Sequence, residues 1–314
     1  MSGASTSARR IIIDTDPGQD DAVALLLAFA APDRLDIRAI TTVAGNAPVA
    51  RTTANALRVR DLARRPDVKV IAGMAAPMVL PLETAEFVCG PDGLAGADLP
   101  APESEAEPGH AVAALIRLLR AAEAGSVTLA ALGPLGNIAM ALRLAPDIAL
   151  AITEIVVMGG AMGLGNITPA AEFNFYVDPH AAHIVLEAGI RTTLFGLHAT
   201  HQALASPDHL KRLRALPNRG GGIIHAMLTR PRPGGLGTAA HPMHDPCVIG
   251  WLLWPELFEG RDCHVDITTE GALRGRSTID WHDRQERPAN AFVVNAINAD
   301  ILFDRMIDTF AALP

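Results

Sequence analysis

Short apolar runs rich in β-branched residues alternate with longer helical patterns along the first two-thirds of the chain. The short runs predict strands at 10–14, 35–43, 68–71, 127–132, 152–158 and 192–195. The stretches between them predict helices at 20–31, 48–63, 110–124, 137–144 and 178–188. Strands that alternate with helices in this way are typical of a largely parallel sheet covered by helices.

The last third of the chain has a different pattern. Residues 206–229 predict two or three helices, a loop rich in Pro and Gly follows at 230–242, and the region from Cys263 onward predicts strands before a final helix at 299–311. No long linker or internal repeat divides the chain. We therefore expect one α/β domain over residues 10–314, with a mostly parallel, Rossmann-like central sheet flanked by helices, and a disordered tail over 1–9.

Four carboxylates, Asp14, Asp16, Asp20 and Asp21, fall within eight residues where the first predicted strand meets the first predicted helix. Two unit charges about 4 Å apart repel by roughly 4 kcal/mol at an effective dielectric near 20. Turn formation and the helix dipole explain one acid or two, but capping does not require four. Carboxylates without nearby Cys or His suit a hard cation, so the cluster predicts a calcium or magnesium site.

Further polar residues follow other strands of the predicted sheet. Asn46 follows the second strand, and Asn166, Glu172 and Asn174 follow the strand that ends at Met158. Taken alone, Asn46 reads as a turn or cap residue, and Glu172 and Asn174 read as one solvated face of an extended segment. Together they predict a ligand site, because ligands of parallel sheets bind at the carboxyl ends of the strands.

The pair His244-Asp245 opens a helix after the Pro- and Gly-rich loop, where it could also serve as a simple helix cap. A cation held by Asp and flanked by Asn and Glu suits a polyhydroxyl ligand such as a sugar. Water beside a metal ion and a carboxylate is a ready nucleophile. His is a suitable acid for a nitrogen leaving group near neutral pH.

Composition narrows the classes of partner. The net charge of −8 argues against nucleic-acid binding, which relies on clustered Lys and Arg. The three cysteines, Cys89, Cys247 and Cys263, are far apart and form neither a disulfide framework nor a CxxC metal site. No apolar stretch predicts a signal peptide or a membrane span, so we expect a cytoplasmic protein with no membrane partner.

In these motifs the chain resembles the inosine-uridine-preferring nucleoside hydrolase family. The matching segments are Asp14-Thr15-Asp16-Pro17-Gly18-x-Asp20-Asp21-Ala22, Thr41-Thr42-Val43-x-Gly45-Asn46, Asn166-x-x-Pro169-x-x-Glu172-Phe173-Asn174, Val177-Asp178-Pro179 and His244-Asp245-Pro246. They run in family order, and the resemblance covers the chain from Arg10 onward. It implies the nucleoside hydrolase fold and hydrolysis of the N-glycosidic bond of ribonucleosides to ribose and free base.

The resemblance also implies roles for individual residues. Asp16, Asp21 and Asp245 would bind Ca²⁺ with the carbonyl of Leu132, and Asp16 would take a proton from the metal-bound water. The ribose hydroxyls would be held by Asp20, Asn166, Glu172 and Asn174, with Asn46 beside the water and the sugar. His244 would protonate the leaving base. Asp14 is expected to brace the site from behind these ligands.

Three positions depart from the family pattern. Leu132 stands where the family often has Thr, Cys89 stands where many members have His, and His198 stands where an acid is expected. The carbonyl role of Leu132 survives this change, and His198 is expected to be structural or at the pocket edge. Two loops rich in Gly and Pro, 84–97 and 230–241, are expected to border the pocket and to move on binding.

Two other functions fit parts of the pattern. A phosphatase-like hydrolase would use the Asp14-Thr15-Asp16 strand end, but it needs a positioned Lys, and only Lys69 and Lys211 occur. A non-catalytic nucleoside- or ribose-binding protein on the same scaffold would lack a metal ligand or a base, and none is missing here. The purine or pyrimidine preference stays open, and we expect a homodimer or homotetramer.

Overall fold

A computed structural model of the chain describes residues 8–86, 90, 93–94, 99–229 and 242–314. Its strands are β1 (Arg9–Thr15), β2 (Leu35–Thr42), β3 (Val70–Ala72), β4 (Val127–Ala131), β5 (Ile152–Met158), β6 (Thr192–Phe195), β7 (Phe258–Ile267), β8 (Ser277–Asp280) and β9 (Ala291–Ile297). Within the described residues they form one nine-stranded sheet in the order β3-β2-β1-β4-β5-β6-β9-β7-β8.

The sheet is parallel from β3 across to β9, and only β7 runs antiparallel to its neighbours β9 and β8. The predicted α/β fold with a mostly parallel sheet is therefore confirmed. Because β1 lies between β2 and β4, the segment that follows β1 emerges in the middle of the carboxyl edge. That edge is where parallel sheets of this type bind ligands.

The described helices cover the sheet and match most of the predicted ones. They are α1 (Gln19–Phe29), α2 (Val49–Leu62), α3 (Ala111–Arg120), α4 (Gly136–Leu144), α5 (Phe173–Val177), α6 (Pro179–Leu186), α7 (Leu197–Thr200), α8 (Pro207–Ala215), α9 (Arg219–Thr229), α10 (His244–Leu253) and α11 (Ala299–Phe310). Short 3₁₀ turns occur at Pro146–Ala151, Pro255–Leu257 and Gly271–Leu273. No helix in the described part of the chain is long and apolar enough to cross a bilayer.

Two boundaries differ from the sequence-based expectation. β7 begins at Phe258, five residues before Cys263, and the first strand begins at Arg9, inside the expected tail. Residues 1–7 lie outside the described chain. The short helix α5 was also not anticipated, since an extended segment was expected there.

The sheet separates two apolar cores. Ile11 and Ile13 of β1 point into one core, whereas Ile12 points into the other, as the two-residue period of a strand requires. Helix α1 is buried on nearly all sides because it packs against α10 and α2 in the first core. This enclosure fixes the amino terminus of α1 against the carboxyl end of β1.

Phe195 shows how tightly the first core is packed. It is fully buried at the end of β6, and its ring lies edge-on to Phe258 at 5.3 Å and to Trp251 at 6.2 Å between centroids.

We predict that Phe195→Ala lowers the free energy of unfolding by about 3–5 kcal/mol, because it leaves a cavity between these rings. Denaturant titration measures this. Leu150→Ala, at a side chain that is 75% exposed, is the control and should change little; a loss below about 1 kcal/mol for Phe195→Ala would contradict the packing described.

Candidate active site

The acidic cluster lies where β1 passes directly into α1. Asp14 and Asp16 close the strand side, and Asp20 and Asp21 lie in the first turn of α1, which begins after Gly18. Asp14, Asp16 and Asp21 are essentially inaccessible to solvent, whereas Asp20 is partly exposed. Carboxylates at a helix amino terminus gain from the helix dipole, but three buried ones together exceed what that dipole offsets.

Asp21 is held by donors on both of its oxygens. The Thr15 hydroxyl donates to Oδ1 at 2.5 Å, and the Asp16 backbone N–H donates to the same oxygen at 3.3 Å. The Gly18 backbone N–H and the Asn46 side-chain amide donate to Oδ2 at 3.0 and 3.1 Å. The orientation of this carboxylate is therefore set by four contacts before any ligand binds.

Asp16 is held on one side only. The Asn46 backbone N–H donates to Oδ2 at 2.6 Å, while Oδ1 is buried and has no hydrogen-bond partner. Two glycines make room for this carboxylate, because a Cβ atom at Gly45 or Gly133 would lie 2.2 or 2.3 Å from its oxygens. A buried acceptor without a donor is costly, so Oδ1 marks the place where an additional group fits.

Asp14 lies behind this layer. Its Oδ1 accepts hydrogen bonds from the Thr41 hydroxyl at 2.5 Å and the Asn137 amide at 2.8 Å. Burial raises the pKa of Asp14 to about 7, although both hydrogen bonds act in the opposite direction. Asn137 also donates to the Thr42 carbonyl and accepts from the Met74 N–H, so it ties the end of β1 to β2 and to the segment after β3.

Asp20, Asp21 and Asp245 could hold a metal ion together. Each of them offers a carboxylate oxygen, and these oxygens all lie within 4.8 Å of one another. Asp245 is far from the other two in sequence; it lies in the first turn of α10 and is buried. The set contains the expected ligands Asp21 and Asp245 but has Asp20 where Asp16 was expected. Three carboxylates of this kind fit a hard cation such as Ca²⁺ or Mg²⁺.

The electrostatics of the cluster support this fit. Burial raises the pKa of Asp16 well above its usual range, and the charges of Asp21 and Asp20 raise it further. The pKa of Asp245 is raised by burial and by the charges of Asp20, Asp21 and Asp16. Burial and Asp20 also raise the pKa of Asp21. The carboxylates are thus mutually destabilised when ionised, and a bound cation would reverse that effect.

Glu172 and Asn174 lie on the segment after β5, and Asn174 contacts the turn after β4. Glu172 caps α5: its carboxylate accepts from the backbone N–H groups of Asn174 at 2.8 Å and Phe175 at 3.2 Å, and from Gly160 at 2.9 Å. The alternative of a solvated strand face is wrong, because both residues are buried and this cap starts a helix. Burial raises the pKa of Glu172 to about 7.

Asn174 connects the segment after β5 to the turn after β4. Its side-chain amide donates to the Leu132 carbonyl at 2.7 Å and to the Met158 carbonyl at 3.1 Å. The carbonyl expected to bind the cation therefore already accepts one hydrogen bond, and its second lone pair remains for a ligand. Gly133, the next residue, lies against the unpartnered oxygen of Asp16.

Asn166 is exposed at the rim of the same loop. Its side-chain oxygen accepts from the Phe173 N–H at 2.9 Å, and its backbone N–H donates to the Ala171 carbonyl at 3.1 Å. The neighbouring Gly165 packs so closely on Ala171 that a Cβ atom there would lie 2.0 Å from the Ala171 oxygen. These contacts fold residues 165–173 back on themselves, and they hold Asn166 against the two neighbours of Glu172, Ala171 and Phe173.

His244 begins α10, directly before Asp245. Its Nδ1 lies 2.7 Å from the hydroxyl of Thr200, and its ring lies 5.5 Å from the ring of His201. His198, from the same segment as Thr200, accepts from the Met162 N–H through Nδ1 and lies 2.9 Å from the Val294 carbonyl through Nε2. Both nitrogens of His198 are engaged with backbone, and burial lowers its pKa.

Some expectations fall outside the described residues. Cys89 lies outside the described residues, and so do most of the loop 84–97 and all of the loop 230–241. Other residues of the site escaped the sequence reasoning altogether: Thr15, Asn137 and Thr200 were not assigned any role. Thr15 lies inside the acidic motif and could have been suspected from that position. Nothing in the local pattern pointed to Asn137 or Thr200, whose partners are distant in sequence.

Comparisons with known proteins agree on one class of enzyme, the nucleoside hydrolases. The sequence model of the family described as inosine-uridine preferring nucleoside hydrolase matches residues 11–304, and the chain belongs to this family. The family resemblance and the hydrolase class expected from the motifs are both confirmed.

The similar proteins cover almost the whole chain. A pyrimidine-specific ribonucleoside hydrolase RihA from Shewanella sp. (strain MR-7) is 41% identical over 311 residues, spanning 96% of each chain. A non-specific ribonucleoside hydrolase RihC from Salmonella heidelberg (strain SL476) is 41% identical over 312 residues, covering 98% of this chain and 100% of its own. The structure of a plant nucleoside hydrolase, PpNRh1, superposes with a TM-score of 0.88 at 28% identity, over 96% and 99% of the two chains.

The raised pKa of Glu172 predicts a pH effect on stability. Between about pH 4.5 and 7 the folded protein binds more protons than the unfolded chain, so this group's contribution to stability is full below that window and is lost as the pH rises through it. We predict that the free energy of unfolding of the wild type relative to Glu172→Gln falls by about 2–4 kcal/mol across this window. Denaturant titrations at several pH values, with a chelator present, measure this difference. A difference that is independent of pH would contradict the burial effect described.

Proposed function

We propose that this nucleoside hydrolase is calcium-dependent and that Asp16 and His244 carry out its chemistry. The observation that carries the proposal is the convergence of Asp20, Asp21 and Asp245 beside an Asp16 oxygen that has no partner. Glu172 and Asn174 lie nearby, against the turn after β4, and we place the ribose between them and the acidic cluster. The reaction is hydrolysis of the bond between C1′ of ribose and a nitrogen of the base.

The cation would be held by Asp16, Asp21 and Asp245 together with the carbonyl of Leu132. When bound, it supplies positive charge that offsets these carboxylates, chelates ribose hydroxyls and lowers the pKa of water. We favour Ca²⁺ over Mg²⁺ because the ligands come from three separate segments and include a carbonyl. Calcium tolerates such irregular oxygen sets, whereas magnesium demands near-octahedral geometry.

Asp16 would act as the general base. Its Oδ2 is fixed by the Asn46 N–H at 2.6 Å, which leaves Oδ1 to accept a proton. The water oxygen forms a bond to C1′ while one of its protons passes to Asp16. The electron pair of the breaking C1′–N bond goes to the base nitrogen, which receives a proton from His244. Positive charge develops on the sugar in the transition state, as in other glycoside cleavage.

The sugar would be held by Asp20, Asn46, Asn166, Glu172 and Asn174. Glu172 and Asn174 are each fixed by at least two hydrogen bonds to backbone groups, so they present a preorganised wall to the hydroxyls. Asp20 is the only partly exposed acid of the cluster, which suits a residue that meets the substrate from the pocket side. Asp14 would brace the end of β1 from behind.

The base preference is open to measurement. One similar protein is named pyrimidine-specific and another non-specific, at the same identity of 41%, so neither name excludes pyrimidine nucleosides. Uridine and cytidine are therefore the first substrates to test, beside inosine, adenosine and guanosine.

We also propose that residues 10–314 form one folded domain and that the working unit is a homodimer or homotetramer. We propose a cytoplasmic location as well, which the buried free thiols of Cys247 and Cys263 suit.

We predict that the protein releases ribose from at least one nucleoside of this panel, and that Asp16→Ala lowers kcat by about 100-fold or more because the general base is lost. A reducing-sugar assay measures ribose. Asp33→Ala, at an exposed acid outside the site, is the matched control and should retain activity. No ribose release from any nucleoside by the wild type, with ligand binding retained, would instead indicate a non-catalytic binding protein.

We predict that a chelator abolishes the activity, that Ca²⁺ restores it, and that Ca²⁺ raises the melting temperature. A ligand at 100 times its Kd stabilises the folded state by about 2.7 kcal/mol, which is a shift of several degrees for a chain of this size. Differential scanning fluorimetry with Asp21→Asn should show no such shift, because one fixed ligand is lost, whereas Asp33→Asn should behave like the wild type. An equal response to Mg²⁺ would contradict the assignment of calcium.

A further inference from the structure

Thr200 lies against Nδ1 of His244, the side chain that opens α10, and it has no part in the chemistry described above. Its hydroxyl is 2.7 Å from His244 Nδ1, and the residue is fully buried. We propose that Thr200 is a positioning residue that orients the His244 ring for protonation of the leaving base. This inference rests on the proposed role of His244 as the leaving-group acid.

The segment that carries Thr200 is anchored to the sheet on both sides. Helix α7 follows β6 directly, and the Leu197 N–H donates to the Gly160 carbonyl at 2.9 Å, next to the loop that carries Glu172. On the other side, Gln202 donates to the Asn295 carbonyl of β9 at 2.7 Å. The hydroxyl of Thr200 is therefore presented from a fixed backbone.

The same segment is linked to the start of α10. The Met243 N–H donates to the Ala203 carbonyl at 2.9 Å, one residue before His244. The distance between the backbones of Thr200 and His244 is thus set by a hydrogen bond besides the one between their side chains. The two segments are thus joined by one side-chain contact and one backbone hydrogen bond, although 44 positions of sequence separate Thr200 from His244.

A hydroxyl suits this task because it both donates and accepts. It can accept a hydrogen bond from Nδ1–H or donate one to a bare Nδ1, so the contact is compatible with either tautomer of the ring. With Nδ1 engaged by Thr200, the proton for the leaving base comes from Nε2. The Nε2–H bond breaks as the new N–H bond forms on the base, which takes the electron pair of the broken C1′–N bond.

The test compares two leaving groups in the same ribose pocket. A ribonucleoside requires protonation of its base, whereas 4-nitrophenyl β-D-ribofuranoside releases a stable anion that does not. We predict that Thr200→Val, which keeps the side-chain shape, lowers kcat on the best nucleoside by about 10- to 100-fold with KM changed less than threefold. The rate on the nitrophenyl riboside should fall less than threefold. Thr200→Ser should restore most of the nucleoside rate.

Thr153→Val is the matched control, because Thr153 is exposed and lies at the start of β5, whereas the site follows the end of that strand. Equal losses on both substrates for Thr200→Val, or no loss on the nucleoside, would overturn the inference. Failure of the wild type to release ribose from every nucleoside would instead refute the proposed function itself, which this design separates from the role of Thr200.

A second measurement does not depend on turnover. In ¹⁵N-histidine NMR of the calcium-loaded protein, Thr200→Val should shift the Nδ1 resonance of His244, because its hydrogen bond is lost, while Thr200→Ser should stay near the wild type. An unchanged His244 Nδ1 resonance in Thr200→Val would overturn the inference even if that variant were inactive for other reasons.

Discussion

Repulsion among buried carboxylates at the carboxyl end of β1 is the constraint on which the rest of the site depends. Burial is the largest cause of the raised pKa values of Asp16, Asp21 and Asp245, and the neighbouring charges add to it. Removing ionised groups from water in this way costs several kcal/mol unless a counter-charge is present. The repulsion can be relieved in two ways: the carboxylates can take up protons, or a bound cation can offset their charges so that all of them ionise.

The surrounding structure favours the cation. Glycines at 45 and 133 let the backbone approach Asp16 without displacing its oxygens. Four donors fix Asp21, yet Asp16 keeps one oxygen without a partner. The two carboxylates therefore differ: both oxygens of Asp21 are engaged within the protein, whereas Asp16 keeps an oxygen that a further group can meet.

Most of the fold could be predicted from the sequence, because strands β5 and β6 are short runs rich in β-branched residues and helix α1 is a longer apolar run. The acidic cluster and Asn46 could be predicted as well, since they follow strand ends directly. Glu172 shows the limit: its alternation with Asn174 suggested a strand, but its carboxylate caps a helix through backbone groups that include Gly160, twelve residues away. Thr200 and Asn137 could not be found, because their roles arise from partners 44 and 123 positions away.

One cation would replace protons in the carboxylate cluster. Isothermal titration calorimetry with Ca²⁺ near pH 6, repeated in two buffers of different ionisation enthalpy, measures both the binding stoichiometry and the protons released. We expect one Ca²⁺ per chain and release of at least a fraction of a proton, and the number of protons released should shrink as the pH is raised. Absence of binding, or binding with the same heat in both buffers, would contradict it.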